Sequence, residues 1–173
     1  MKIAKPPYEY FPIIRSDHII MRQISPSDIK DIEEISVYDG KYALSEDEAT
    51  QMLSKVDKDY LDGNSIHWGI TDIEKDIILG TCGYYRGFEN ETGELGCIMR
   101  PGFRGIGYMT FALKLAIDFG LNHIGLKRII AFTSENNSKA INLLDRLGFV
   151  KSKDYQTEVV EYEYSLKNNF STF

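Results

Sequence analysis

Between Ser65 and Met99, three β-type runs follow one another with only short polar turns between them, and this stretch limits the fold more than any other feature of the chain. Ser65–Thr71 and Ile77–Phe88 are joined by Asp72-Ile73-Glu74-Lys75-Asp76, and Glu89-Asn90-Glu91-Thr92-Gly93 leads into Glu94–Met99. Runs this close in sequence predict an antiparallel meander, because a parallel return needs a longer crossover. Helical patterns flank it. Ser25-Pro26-Ser27-Asp28 supplies a capping Ser and a Pro at the first helical position, and Ile29, Ile32 and Ile35 follow at helical spacing, predicting a helix over about 26–37. Ser45 with Glu48 is a capping box opening a second helix to about Leu61, with Met52, Leu53, Val56 and Tyr60 on its apolar face.

After the meander, a helix over about 107–121 buries Met109, Leu113, Ala116 and Gly120. Arg128–Thr133 is a strand, and Asn137 caps a helix that Gly148 stops after Leu147. His18–Ile24 is the first strand and Phe149 begins another. Val160, Tyr162, Tyr164 and Leu166 alternate with Glu161, Glu163 and Ser165, predicting an edge-type strand with one wet face. The expected class is α+β (mixed α/β), a mixed sheet of about seven strands with four helices packed on it. Residues 1–15 read as a Pro- and aromatic-rich extended arm, 16–168 as one domain and 169–173 as a tail.

Composition removes whole classes. No charge-free run exceeds nine residues, so a membrane-spanning helix is not expected, and the first residues lack the apolar core of a signal peptide. A net charge of −6 argues against nucleic acid and anionic membranes as partners. Cys82 and Cys97, the two cysteines, read as reduced core thiols of a cytoplasmic protein. His18, His67 and His123 have no metal-ligand spacing, so no metal is expected and packing or surface roles are assigned to them.

Against that acidic background, residues 95–114 carry Arg100, Arg104 and Lys114 and no acid. At their centre, Arg104-Gly105-Ile106-Gly107-Tyr108-Met109 runs into a helix N-terminus, where glycines permit close backbone approach and free N–H groups favour an anion. A tight strand–helix connection would use the same glycines. Thr110 stands where a dinucleotide fingerprint needs its third Gly, and no Gly-Lys-Ser/Thr is present, so the generic nucleotide loops are disfavoured.

Gly102-Phe103-Arg104-Gly105-Ile106-Gly107 resembles the [Q/R]-x-x-G-x-[G/A] motif of the GNAT superfamily of acetyl-CoA-dependent N-acetyltransferases, departing from it at Gly102. Asp17-His18-Ile19-Ile20-Met21-Arg22, Asp28, Trp68, Ile78-Leu79-Gly80, Glu94-Leu95-Gly96 and Pro101 fall in family order. So do Arg128-Ile129-Ile130-Ala131, Asn137-Ser138-Lys139-Ala140 and Leu147-Gly148-Phe149, and the set is similar to the branch acting on ribosomal-protein N-termini. The resemblance spans about residues 16–167 and implies a GNAT fold whose largely antiparallel sheet splays after its fourth strand to admit pantetheine. It implies that the backbone of Cys97, Ile98 and Met99 pairs with pantetheine and that an N–H there polarises the thioester carbonyl. The amides of Arg104, Gly105, Ile106, Gly107, Tyr108 and Met109 would hold the pyrophosphate, with the Arg104 and Lys139 side chains available to outer phosphates. Asn137 would contact the pantetheine arm or the incoming amine, alongside its plainer role as a helix cap.

The acid–base set is incomplete. Where relatives carry a Tyr acid this chain has Leu144, and where others carry a Glu base it has Phe132. Glu94 is the remaining carboxylate on the acceptor side, though a solvated strand end is its plainer reading, and Tyr84, Tyr85 and Tyr108 are relay candidates whose default is packing. The expected reaction is acetyl transfer from acetyl-CoA to a primary amine by direct attack in a ternary complex, the acceptor being a protein N-terminal α-amine. A small amine such as a polyamine, amino acid or aminoglycoside is the alternative acceptor. A non-catalytic acyl-CoA-binding module is the alternative of another class. Oligomeric state is open, a homodimer included.

Overall fold

The alternating and helical patterns resolve into an eight-stranded mixed sheet with apolar clusters on both faces, described by a computed structural model for residues 4–155 and 157–165. In chain order, β1 (Ile14–Arg15) and β2 (Ile19–Arg22) precede α1 (Ile29–Ile32), which 3-10 turns extend at both ends. A ribbon of β3 (Val37–Tyr38) and β4 (Lys41–Tyr42) leads into α2 (Glu46–Leu61), and the meander is β5 (Ile66–Asp72), β6 (Ile78–Tyr85) and β7 (Thr92–Met99). Then come α3 (Tyr108–Phe119), β8 (Arg128–Ser134), α4 (Ser138–Leu147), β9 (Phe149–Asp154) and β10 (Val159–Tyr164). The spatial order is β1-β2-β5-β6-β7-β8-β10-β9, antiparallel throughout except for β7 and β8, which run parallel and are joined by α3.

One face of the sheet carries the larger core, in which Trp68, Tyr84, Leu113, Ala116 and Ile129 are buried beneath α3 and α4. The indole N–H of Trp68 donates to Pro12 O at 2.9 Å, which satisfies the buried donor and straps the N-terminal arm down. Tyr8 packs edge-on against Phe119, and Phe11 lies 5.2 Å from the Tyr60 ring. The other face is covered by Ile29, Ile32 and Ile35 with Ala49 and Leu53 of α2.

Three expectations need correction. The first helix ends at Ile35, two residues early, because the Ser36 hydroxyl folds back onto Ile32 O at 2.9 Å while Ser36 O accepts from Ala43 N–H and starts the ribbon. The Ser45 box is displaced by one residue: Ser45 Oγ accepts from Glu48 N–H, but the Glu48 carboxylate receives Leu44 N–H. The strand at Val159–Tyr164 is interior, between β8 and β9, so β9 is the edge. Its wet face is covered too. Glu161 is buried, accepting from Arg128 at 2.6 Å, Tyr155 Oη at 2.7 Å and Ser152 Oγ at 2.9 Å. Alternation reports side-chain polarity, and this carboxylate is buried because three donors meet it. Leu166 and the 169–173 tail lie outside the described residues.

Candidate active site

Pairing between β7 and β8 is recorded at Thr92↔Arg128, Gly93↔Ile129 and Glu94↔Ile130, and goes no further. Beyond Glu94 the two strands part. The second half of β7, with Ile98 half-buried and Met99 buried, therefore has a margin that pairs with no β8 residue, at the carboxyl end of a parallel strand, the usual place for a ligand in such units. This parting also corrects Cys97. It is exposed, since no β8 residue pairs with that part of β7, whereas Cys82 opposite it is buried.

The loop after β7 is built for close approach. Arg104 Nε donates to Met99 O at 2.9 Å, which ties the loop back to the strand end. Gly105 and Gly107 have φ of +80° and +103°, and a side chain at Gly105 would meet nothing within 4 Å. Their glycine requirement is thus conformational, and the space above them is open. The first bonds of α3 run from Thr110 and Phe111 N–H to Gly107 O, so the amides of Tyr108 and Met109 have no intrahelical acceptor. Ile106 is exposed, while Tyr108 and Met109 pack partly against the core. Arg100, counted in sequence with the cationic segment, is spent elsewhere: it pairs with Glu34 at 2.9 Å and Asp31 at 3.2 Å. At the next helix, Asn137 Oδ1 caps α4 by accepting Ala140 N–H at 3.1 Å, and Lys139 beside it is exposed. An open glycine loop, free amides at a 12-residue helix and a half-unpaired strand fit the phosphates and amide arm of an acyl-CoA.

A cavity of about 1010 Å³ lies on the opposite face of the sheet, beneath the β3–β4 ribbon and α2. Tyr38, Tyr42, Asp59, His67, Tyr85 and Glu94 are among its lining residues. Glu94 is mostly enclosed, its side chain 17% exposed, and it pairs with the exposed Arg86. Burial pushes its carboxyl above the usual glutamate range, and the Arg86 guanidinium pulls part of that back. The strand end expected to be solvated is therefore a carboxylate held in a cavity. Beside it, burial pushes the Tyr85 phenol well up. Tyr84 points to the other face and donates to Ala116 O at 2.8 Å, a packing role.

His67 is the residue that sequence reasoning set aside. It lines the cavity, and neither ring nitrogen has a hydrogen-bond partner among the described residues, nor does Ser65 Oγ two positions earlier. Burial holds its pKa down at about 4, so the imidazole is neutral at pH 7. The other two histidines pack on aromatic rings, His18 tilted against Phe111 and His123 stacked on Phe119, as expected. The signal available in sequence was the alternation of Ser65, His67 and Gly69 opposite buried Ile66, Trp68 and Ile70, which puts the polar set on one face.

Leu144 is buried in the core under α4, so no proton donor stands there, and Phe132 lies 6.2 Å from the Tyr155 ring. Neither thiol is activated: burial raises Cys82 well above the ordinary value, and the Cys97 thiol is pushed up to about 12. Replacing Cys82 and Cys97 together by Ala is expected to leave kcat within about tenfold of wild type. Mass spectrometry of protein exposed to acetyl-CoA and then desalted should show no retained acetyl group; a stoichiometric adduct would argue for a covalent route.

A family model described as an acetyltransferase (GNAT) domain matches residues 18–150. The uncharacterized N-acetyltransferase YoaA of Bacillus subtilis (strain 168) is 27% identical over 149 residues, covering 82% of this chain and 84% of that protein. Ribosomal-protein-S5-alanine acetyltransferase from Vibrio fischeri superposes with a TM-score of 0.73 at 20% identity, covering 93% of this chain and 100% of that one. Spermidine N-acetyltransferase from Vibrio cholerae does so with a TM-score of 0.71 at 19% identity, covering 89% and 98%. With its parted strands, glycine loop and matched domain, the chain belongs to the GNAT family of N-acetyltransferases.

Proposed function

We propose that the preferred acceptor is a protein or peptide N-terminal α-amine, which attacks the thioester directly in a ternary complex with Glu94 as the proton acceptor. The observation that supports this is the enclosed Glu94 carboxylate, at the point where β7 leaves β8 and facing the cavity. An α-amine with a pKa of about 7.7–8.0 is roughly a tenth neutral at pH 7, whereas a lysine-type amine at about 10.4 is neutral only about 0.04% of the time. A single carboxylate of raised pKa suits the first task. The second needs a stronger base or a site that depresses the amine.

Acetyl-CoA, the donor the family uses, supplies the activated acyl group. Toward it, the amides of residues 105–109 would hold the pyrophosphate, the expected Arg104 amide being engaged by Pro101 O at 3.4 Å, and the free guanidinium nitrogens of Arg104 and the Lys139 ammonium would meet outer phosphates. The backbone of Ile98 and Met99 pairs with the pantetheine arm, and Asn137, while capping α4, offers its amide to the arm or the amine.

One observation favours a small polycation instead: Asp39, Asp59, Glu89 and Glu94 line the cavity against Lys5 and Arg86. A spermidine N(1)-acetyltransferase of Escherichia coli (strain K12) is 36% identical, but over only 56 residues, 32% of this chain. The deciding measurement is kcat/KM at pH 7 for a short peptide with a free N-terminus, an N-blocked lysine peptide and spermidine. The peptide with the free N-terminus should lead. A tenfold advantage for either of the others overturns the α-amine reading, and thiol release with none of them overturns the catalytic role of Glu94.

A further inference from the structure

We propose that His67, with Ser65 beside it, determines acceptor specificity by pairing with the carbonyl and amide groups next to the reactive amine. The inference rests on the α-amine reading above and names the residue that reads the rest of the acceptor. A neutral imidazole offers one N–H donor and one lone pair, and a serine hydroxyl offers both as well. Here both side chains line the cavity with these atoms buried and without a partner among the described residues. Buried polar groups are ordinarily paired, and two unpaired ones lining the same cavity call for an explanation that an acceptor completing the set supplies.

Sheet register aims the pair at the reaction. His67 lies opposite Gly83, and Gly83 opposite Gly96, so one row of the sheet runs from the imidazole to the half of β7 that has left β8. The two glycines put no side chain in that row. Across the gap lies the Tyr85 ring, edge-on to His67 at 5.5 Å and close enough to Gly96 that a Cβ there would sit 2.9 Å from Cε2. Tyr85 covers the imidazole, and an acceptor reaching His67 displaces that ring. Glu94 is the register partner of Tyr85, so the proton acceptor and the unpaired imidazole border the same ring.

The chemistry selects the ligand. The protonated nitrogens of a polyamine beyond the reacting amine carry N–H groups and no lone pair, and can satisfy the imidazole lone pair but not its N–H. A peptide N-terminus has a carbonyl oxygen two bonds from the amine-bearing carbon and an amide N–H after it, which satisfy both. Sites built to pair with a substrate group discriminate strongly against analogues that lack it, because their own polar atoms are then left unpaired.

The test compares an alanyl peptide amide with a carbonyl-free alkylamine of similar length, using wild type, His67→Leu and His67→Gln. His67→Leu should lower the peptide-to-alkylamine ratio of kcat/KM by about tenfold, chiefly through the peptide KM. His67→Gln, which restores a donor and an acceptor, should recover most of that ratio. Loss of activity on both acceptors in equal proportion means a structural role and overturns the proposal, as does an unchanged ratio. A readout on wild type stands apart from folding of the variants. With three histidines in the chain, imidazole ¹⁵N spectra should show His67 shifting on titration with the peptide amide and not with the alkylamine. An unmoved His67 signal at saturating peptide overturns the proposal while leaving the α-amine reading intact. Wild type acetylating the alkylamine better than the peptide overturns the α-amine reading itself.

Discussion

Gly107→Glu is expected to weaken CoA binding by about a hundredfold or more, read by calorimetric titration against wild type. Two effects add. At φ +103° any side chain is strained, by about 1–2 kcal/mol. The carboxylate would also stand at the start of α3, where the free amides and the helix dipole otherwise favour an anionic ligand. Gly107→Ala separates the two, since it keeps the strain without the charge, and its affinity should lie between the others. The fold should survive, because the open space beside Gly107 leaves the nearest atom, on Phe111, 4.0 Å away. Equal affinity of wild type and Gly107→Glu would remove the loop from the phosphate site.

Glu94→Gln is expected to lower kcat/KM for an α-amine peptide at pH 7 by about 10²–10³-fold, the scale of a lost proton acceptor. The pH dependence carries the sign. Burial raises the Glu94 carboxyl, so the acid limb of wild-type kcat/KM should lie above the ordinary glutamate value of about 4.3. Toward pH 9 the free amine is already deprotonated, and the deficit of Glu94→Gln should shrink. A carboxyl raised in the fold stabilises it below the unfolded pKa and loses that contribution as pH rises through the raised value. The neutral amide is therefore not expected to unfold the protein at pH 7. Activity within threefold of wild type at pH 7 would take the base role away from Glu94.

The meander and the helix boundaries were legible because each is specified locally, by the polar connections, the Ser45 cap, the Asn137 cap and Gly148 at φ +89°, although the expected turn at 89–93 ends early, Thr92 and Gly93 being strand residues paired with β8. What escaped depends on partners distant in sequence. Arg100 adds to a cationic segment in the sequence until α1 and the 3-10 turn after it deliver Asp31 and Glu34 to it. Glu161 looks solvated until β9 and β8 bring Ser152 and Arg128. Cys97 looks like a core residue in a run of apolar neighbours, and it is exposed because two strands separate rather than because of anything within 95–99. His67 escaped for the opposite reason. Its strand was read correctly, but a lone histidine carries no pattern until the cavity and its unpaired nitrogens are seen together.

The parting of β7 from β8 makes the sheet two plates that share a short hinge. On one side lie β1, β2, β5, β6 and β7, on the other β8, β10 and β9, with three register pairs between them and α3 as the strap. Backbone hydrogen bonding ordinarily makes a sheet one cooperative body, and here that continuity stops after Glu94. A ligand that pairs with the free margin of β7 then serves as mortar as well as donor, because it lengthens the joint that holds the plates together. If the acyl-CoA pairs with that margin, cohesion across the joint becomes a function of ligand concentration, and the loaded molecule is the mechanically more complete one.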